Sequence, residues 1–222
     1  MTIRPRRSVL YMPGSNARAL EKAATLPADA LILDLEDAVA PEAKDLARDQ
    51  VCAAVKDRRF GKREVIIRVN GLDTDWGHDD MDAAVAAGPD AILVPKVNDG
   101  QDVEHADQHM ADAPPSCALW VMMETPHAIF HAMDIAEAGG RLACLVMGTN
   151  DLVKELRAQH TPGREALIAS LNLSVIAGRA HGLAVIDGVF NEIADTAGFE
   201  AVCRQGRAMG FDGKTLIHPS QV

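Results

Sequence analysis

Residues 118–126 read ALWVMMETP, and this stretch decides the fold. Its six leading apolar residues follow neither a helical nor an alternating period, which is typical of a strand buried on both faces of a parallel sheet. The apolar run ends at Glu124, and Thr125 with Pro126 then favours the start of a helix, because proline in a first turn has no N–H to lose. A carboxylate at the end of such a strand indicates either an active-site residue or a cap for the following helix.

Seven further apolar segments of similar length occur along the chain. The eight predicted strands cover residues 8–12, 30–35, 64–69, 91–94, 118–123, 142–147, 184–187 and 214–217. Every strand but the last is followed by a helical pattern, and the longer helices are predicted over residues 41–58, 79–87, 102–111, 164–181 and 199–209. This alternation predicts a single α/β domain over residues 1–222 with the (β/α)₈ TIM-barrel fold, and a doubly wound open sheet is the alternative.

The sequence stops four residues after His218, which follows the eighth predicted strand. We therefore expect a barrel that lacks its last outer helix or a C-terminal extension. Such a barrel would leave an apolar stripe on the first and seventh helices and on the eighth strand. Large apolar surfaces rarely stay bare, so we expect another subunit, or further residues of a longer chain, to cover this seam.

Composition narrows the range of partners and the expected location. A net charge of −10 argues against nucleic acid, which needs a basic binding surface, but it leaves room for a small anionic ligand held by local arginines. The chain contains no apolar run of membrane-spanning length and no apolar signal core after its first residues, so we expect no membrane partner. Four cysteines lie far apart, and Cys117 and Cys144 fall in or beside apolar strands. Buried reduced thiols of this kind indicate a cytoplasmic protein.

Polar residues stand at the ends of nearly all the predicted strands, and in a barrel these ends converge on one mouth. The residues concerned are Glu36, Asp37, Arg68, Asn70, Lys96, Glu124, Asn150, Asp151, Asp187 and His218. Glu124 and Asp151 follow neighbouring strands, and paired carboxylates suit a hard divalent cation such as Mg²⁺. The alternative for both carboxylates is that they cap helices.

Arg68 lies in an otherwise apolar strand, and a buried arginine needs an anionic partner. That partner is Glu36 or Asp37 if the role of Arg68 is structural. In a catalytic role, Arg68 would face a substrate carboxylate or an enolate oxygen. Gly148, at the end of the sixth strand, lets the backbone approach a bound acid closely.

Two further patterns are less specific. Gly14, Ser15 and Asn16 precede a helix that carries Arg18 and Lys22, and this arrangement suits either a phosphate group or an ordinary turn with a helix cap. The histidine pairs spaced by four residues lack the glutamate of a zinc-protease helix, so we expect surface positions for them. These pairs are His105 with His109 and His127 with His131.

Several of these segments together resemble the citrate lyase β-subunit (CitE-like) branch of the HpcH/HpaI aldolase family. The segments that carry the resemblance are residues 7–16, 33–41, 67–71, 93–96, 123–125, 148–152 and 210–221. The resemblance implies a TIM barrel that forms trimers, or hexamers built from trimers. It also implies Mg²⁺ ligands at Glu124 and Asp151, with Arg68 as the substrate arginine. Several family lyases carry a further C-terminal segment that supplies a catalytic acid to a neighbouring subunit, and nothing follows Val222 in this sequence.

The resemblance implies a Mg²⁺-dependent carbon–carbon lyase acting on a malyl-, citramalyl- or citryl-type CoA thioester, with an acyl-thioester and an α-keto acid as products. In this hypothesis Arg68 stabilises the enolate, and Glu36 or Asp37 orients Arg68 or metal-bound water. Glu124, Gly148 and Asn150 also contact the acid, and Ser15, Arg18 and Lys22 bind the CoA portion. The alternatives are a malyl-CoA thioesterase, a pyruvate-type aldolase and a non-catalytic subunit that binds CoA esters.

Overall fold

The computed structural model describes residues 4–222, in which eight parallel strands form one closed barrel in sequence order. The strands are β1 (Ser8–Pro13), β2 (Ala30–Asp34), β3 (Glu64–Arg68), β4 (Ala91–Val94), β5 (Ala118–Met123), β6 (Leu142–Met147), β7 (Ala184–Asp187) and β8 (Gly213–Leu216). Strand β1 pairs with both β2 and β8, and this second pairing closes the barrel. The predicted TIM barrel is confirmed, and the open doubly wound sheet is wrong.

At least one helix follows each of the first seven strands. The α-helices are α1 (Ala17–Ala23), α2 (Lys44–Lys56), α3 (Gly77–Ala87), α4 (Gly100–His109), α5 (Pro126–Phe130), α6 (Ala132–Glu137), α7 (Thr149–Glu155), α8 (Ile168–Ala180) and α9 (Thr196–Met209). Short 3₁₀ turns cover Pro41–Ala43, Glu165–Leu167 and Pro219–Gln221. Within residues 4–222, no helix combines the length and the apolar character needed to cross a membrane.

Two of the predicted helices begin later than the sequence pattern suggests. The segment predicted over residues 41–58 starts as a 3₁₀ turn and becomes α-helical only at Lys44. In the segment predicted over residues 164–181, Arg164 adopts a left-handed backbone conformation (φ 56°) that no right-handed helix contains. A 3₁₀ turn follows it, and the α-helix begins at Ile168. Neither difference moves a strand end, so the layout of the barrel mouth is unaffected.

Side chains pack in two layers, one inside the barrel and one between the strands and the helices. The interior is filled by alternate strand residues, with Trp120 fully buried at its centre. Arg6 stacks on the Trp120 ring, with its guanidinium carbon 4.9 Å from the ring centroid, and forms two hydrogen bonds of 2.8 Å with Glu64. Glu64 begins β3, so this ion pair lies at the end of the barrel opposite the carboxyl ends of the strands.

The expected apolar stripe on the first and seventh outer helices is wrong. Neither α1 nor α9 carries a large apolar side chain that is exposed, since their outward positions hold charged residues such as Arg18 and Arg204. The most exposed large apolar side chain among residues 4–222 is Phe130 at the end of α5. Ile217, just beyond β8, is also exposed. Association with other subunits stays a prediction.

The cysteines provide a test of the barrel packing. Cys52, Cys117 and Cys144 are buried free thiols, whereas Cys203 is only half-buried. Burial raises the pKa of Cys117 to about 11, and the thiolate is the reactive form. We expect a disulfide reagent at pH 8 to label Cys203 first and to reach the other three cysteines only in denaturant. Rapid labelling of Cys117 in the folded protein would contradict this packing.

Candidate active site

Two carboxylates and one ammonium group meet between β4, β5 and β6. Glu124 follows β5 directly and its side chain is only 2% exposed, whereas Asp151 lies in the first turn of α7 and is 26% exposed. Lys96 follows β4, and its Nζ contacts Asp151 Oδ2 and lies 3.5 Å from Glu124 Oε1. The backbone N–H of Lys96 also donates to Glu124 Oε1, at 2.9 Å. The predicted pair of carboxylates is therefore brought together around a cation.

Neither carboxylate caps a helix. Thr125 caps α5, since its hydroxyl accepts a hydrogen bond from the N–H of Ala128. The cap position of α7 is occupied by Gly148, and Asp151 lies inside the helix. The capping alternative for Glu124 and Asp151 is therefore wrong, and Lys96 is the group that both side chains contact.

Burial dominates the electrostatics of Glu124. It raises the pKa of this carboxyl to about 7, and the nearby charge of Lys96 only partly opposes the effect. A carboxylate in such a place needs a cation close by to stay ionised at neutral pH. Lys96 provides that cation here, and the two carboxylates in turn raise the pKa of Lys96 above its usual range although burial opposes this.

Arg68 ends β3 and is held by Asp34, which ends the neighbouring strand β2. The two residues are register partners in the sheet. Arg68 Nε and Nη2 each donate to one carboxylate oxygen of Asp34 at 2.6 Å, and both side chains are buried. Such bidentate, charge-assisted bonds fix the plane of the guanidinium group. The structure thus adds Asp34, which the sequence analysis did not consider, to the expected partners Glu36 and Asp37.

The remaining nitrogen of Arg68, Nη1, faces the mouth of the barrel. It lies 2.7 Å from Glu36 Oε2 and 3.7 Å from Asp37 Oδ2, while the Met122 sulfur is 3.8 Å away. Glu36 Oε2 is buried and accepts no well-aligned hydrogen bond, so its contact with Arg68 is electrostatic. Burial raises the pKa of Glu36, although the charge of Arg68 opposes this effect. The Tyr11 ring packs against the guanidinium group at 4.8 Å.

A cavity of about 260 Å³ joins these groups at the carboxyl ends of the strands. Its lining includes Tyr11, Asp34, Asp37, Arg68, Met122, Glu124, Gly148, Asn150 and Asp151. Gly148 has a steric role there, because a Cβ atom on it would lie 2.5 Å from Glu124 Oε2. Asn150 is exposed at the rim and exchanges hydrogen bonds with Asn191. The cavity therefore offers a cation-binding carboxylate pair and a fixed guanidinium group to the same small ligand.

Three of the residues expected at the mouth have other roles. Asn70 is buried beneath the loop after β3, where it bonds to Asp80 and to the Lys44 ammonium group. Asp187 pairs with Arg164 and Lys214, and its carboxylate lies against α9, outside the barrel. His218 is exposed and caps the last 3₁₀ turn.

The residues predicted to bind CoA lie around the start of α1. Ser15 is half-buried in the turn before this helix, and Asn16 rather than Ser15 provides the cap. Arg18 and Lys22 are both exposed and four residues apart, so they share one face of α1. Neither they nor Ser15 line the cavity, Lys22 lies in the last turn of α1, and contact of these residues with CoA stays a prediction.

The sequence analysis did not identify Asp34 as the partner of Arg68. It placed Lys96 at the mouth of the barrel but did not pair it with Glu124 and Asp151. The signal for Asp34 was available, because a carboxylate in the apolar run LILDLE faces either the interior or a cation. Its pairing with Arg68 depends on the register between β2 and β3, which no local pattern gives. Lys96 has a positive φ of 58°, and this conformation directs both its N–H and its side chain to the carboxylates, which the residue type alone does not predict.

A carboxylate pair and a fixed arginine in the mouth of a TIM barrel are groups that can hold a divalent cation and a small acid, and the mouth is where enzymes of this fold have their active sites. The family model described as HpcH/HpaI aldolase/citrate lyase matches residues 7–219, and the chain belongs to this family. The predicted family membership is confirmed.

Curated relatives include both hydrolases and lyase subunits. The chain is 52% identical over 218 residues to (3S)-malyl-CoA thioesterase from Cereibacter sphaeroides, covering 98% of this chain and 75% of the relative. It is 37% identical over 227 residues to citrate lyase subunit beta from Escherichia coli, covering 99% of this chain and 75% of that protein.

Solved structures with the same barrel contain metal and acid ligands. The citrate lyase beta subunit from Mycobacterium tuberculosis complexed with oxaloacetate and magnesium has a TM-score of 0.84 and 27% identity, covering 98% of this chain and 94% of that one. A complex of the M. tuberculosis protein CitE with magnesium, acetoacetate and coenzyme A has a TM-score of 0.82 and 27% identity, covering 99% of this chain and 79% of that one.

The Asp34–Arg68 pair predicts unequal effects for substitutions at two carboxylates, Asp34 at the end of β2 and Asp37 in the loop that follows. Asp34→Asn removes the charge that compensates the buried guanidinium, and we expect a loss of about 3–5 kcal/mol in the free energy of unfolding. Asp37→Asn alters a carboxylate that is exposed and 3.7 Å from Arg68, so we expect little change. Urea denaturation measures both values. Equal stability of the two variants would mean that the Asp34 pair does not hold the mouth together.

Proposed function

We propose that this protein is a Mg²⁺-dependent enzyme that hydrolyses the thioester of malyl-CoA or of a closely similar 3-hydroxyacyl-CoA. The observation that carries the proposal is the placing of Glu124, Asp151 and Arg68 around one cavity of about 260 Å³. The 52% identity to (3S)-malyl-CoA thioesterases favours hydrolysis over the carbon–carbon cleavage that the sequence pattern put first.

The donor atoms at the site fit Mg²⁺. Carboxylate oxygens are its preferred protein ligands, and Glu124 and Asp151 already lie on either side of a positive charge, the Lys96 ammonium group. Glu124 Oε1 is engaged by the Lys96 N–H, which leaves Oε2, next to Gly148, for a ligand. A bound Mg²⁺ ion supplies a Lewis acid for the carboxylate and hydroxyl oxygens of the substrate.

Arg68 supplies the second positive charge that the reaction needs. Attack of water on a thioester places negative charge on the carbonyl oxygen, and a cation fixed in advance stabilises that charge. Asp34 holds two of the guanidinium nitrogens, so Nη1 is oriented toward the mouth before substrate arrives. The low exposure of this pair keeps water from weakening the interaction.

Glu36 is our candidate for proton transfer. Its Oε2 atom is buried, lacks a well-aligned donor and lies next to Arg68 Nη1. Burial raises the pKa of Glu36, which makes the carboxylate a better proton acceptor near neutral pH. Asp37 is exposed and lines the same cavity as Arg68, so we assign it to orienting the attacking water.

Carbon–carbon cleavage is the second candidate. It would use the same carboxylates and the same arginine, since the departing enolate also carries its charge on the thioester oxygen. The similarity to citrate lyase subunit beta, at 37% identity, supports this reaction. Its keto-acid product corresponds in type to the oxaloacetate in the M. tuberculosis structure.

Product analysis distinguishes the two reactions. We expect purified protein, (3S)-malyl-CoA and Mg²⁺ to yield malate and free CoA, which a thiol reagent and chromatography detect. Acetyl-CoA and glyoxylate would instead establish the lyase. Glu124→Gln and Asp151→Asn keep the size of each side chain but remove its charge, and we expect both to abolish Mg²⁺-dependent turnover. Retention of full turnover by both variants would rule out the metal site.

A charge-conserving change tests the role of Arg68. Arg68→Lys keeps one positive charge but loses the planar group that Asp34 orients, so we expect kcat to fall by about 100- to 1,000-fold. Steady-state kinetics give kcat and KM, and a thermal denaturation curve checks that the variant is folded. A folded variant with near-normal kcat would assign Arg68 to structure alone.

A further inference from the structure

The ammonium group of Lys96 lies where the proposed metal would bind. It contacts Asp151 and lies 3.5 Å from Glu124, so it neutralises one of the two negative charges of the pair. Mg²⁺ coordinated by the same two carboxylates would lie about 2.0–2.1 Å from their oxygens. A metal ion held by both carboxylates would therefore also lie close to the Lys96 ammonium group, and two cations so near each other repel.

Lys96 is held at this point by its backbone as well as by its side chain. Its φ of 58° lies in the left-handed region, which residues other than glycine rarely adopt. The N–H bond to Glu124 Oε1 helps to fix this conformation and would persist if the side chain moved. The backbone therefore anchors Lys96, and only its flexible side chain has to leave.

A neighbouring space is available to the displaced side chain. Lys96 also lines a second cavity, of about 670 Å³, next to the mouth. Four carboxylates line that cavity with it: Glu36, Asp37, Asp73 and Glu155. A Lys96 ammonium group that left Asp151 would therefore meet other negative charges instead of bare solvent, and its side chain is already 37% exposed.

We propose that Lys96 is the internal counter-cation of the metal-free site and that Mg²⁺ binds by displacing its ammonium group from Asp151 and Glu124. This inference rests on the proposed metal site. Mg²⁺ affinity is then set by competition, because each binding event includes the cost of breaking the contacts of Lys96. In the metal-free protein, the Lys96 ammonium group compensates the charge of the buried Glu124 carboxylate and keeps the mouth of the barrel ordered.

Calorimetric titration of the metal-free protein with Mg²⁺ tests the inference without any turnover. Lys96→Met keeps the backbone bond to Glu124 and much of the side-chain length but removes the charge. We expect this variant to bind Mg²⁺ about tenfold or more tightly than the wild type. We also expect its metal-free form to melt about 2–4 °C or more below the wild type. Lys96→Gln is a second neutral variant if Lys96→Met is insoluble.

Two controls separate competition from a general charge effect. Lys154→Met removes one positive charge from an exposed position on α7. Within residues 4–222, Lys154 forms no ion pair, so this variant should bind Mg²⁺ with an affinity near that of the wild type. Lys96→Arg keeps a positive charge and should keep the weaker, wild-type-like affinity. Equal or weaker Mg²⁺ binding by Lys96→Met would overturn the inference while leaving the metal site intact. Failure of the wild type to bind Mg²⁺ would overturn both.

Discussion

The mouth of this barrel depends on the matching of each buried carboxylate by a cation from an adjacent strand or loop. Asp34 on β2 meets Arg68 on β3, and Glu124 after β5 meets Lys96 after β4. An ionised group taken out of water is costly unless a partner of opposite charge is in hydrogen-bonding geometry. Parallel strands in register place such partners side by side, so the barrel itself sets which charges can be buried.

The Asp34–Arg68 and Glu124–Lys96 ion pairs differ in how rigidly their side chains are held. Asp34 uses both carboxylate oxygens on Arg68 and also accepts the N–H groups of Glu36 and Ala38, which fixes the loop after β2. Lys96 meets its carboxylates by a single flexible side chain that is partly exposed. The first pair is therefore a permanent part of the scaffold. The second pair is the one that a ligand can exchange, and the metal site is proposed at its carboxylates.

The fold was predictable because the strands are continuous apolar runs that end in turn residues, and this pattern needs no long-range information. The proximity of Glu124 and Asp151 was predictable for the same reason, since they follow neighbouring strands. The partner of Arg68 was not, because Asp34 lies 34 positions away and meets it only through strand register. Asp187 shows the reverse case: it ends a strand but faces α9, since a single residue of register decides between inside and outside.

Among residues 4–222, side chains fill the end of the barrel opposite the mouth, so a ligand reaches the interior from the mouth. Trp120 occupies the centre of the interior, and Arg6 and Glu64 lie beneath it. A molecule that reaches Glu124 has to arrive through the same end by which products depart. In the proposed reaction, an acid product that stays at the carboxylates and Arg68 would block the next thioester, so the rate of product release would contribute to the response when product accumulates.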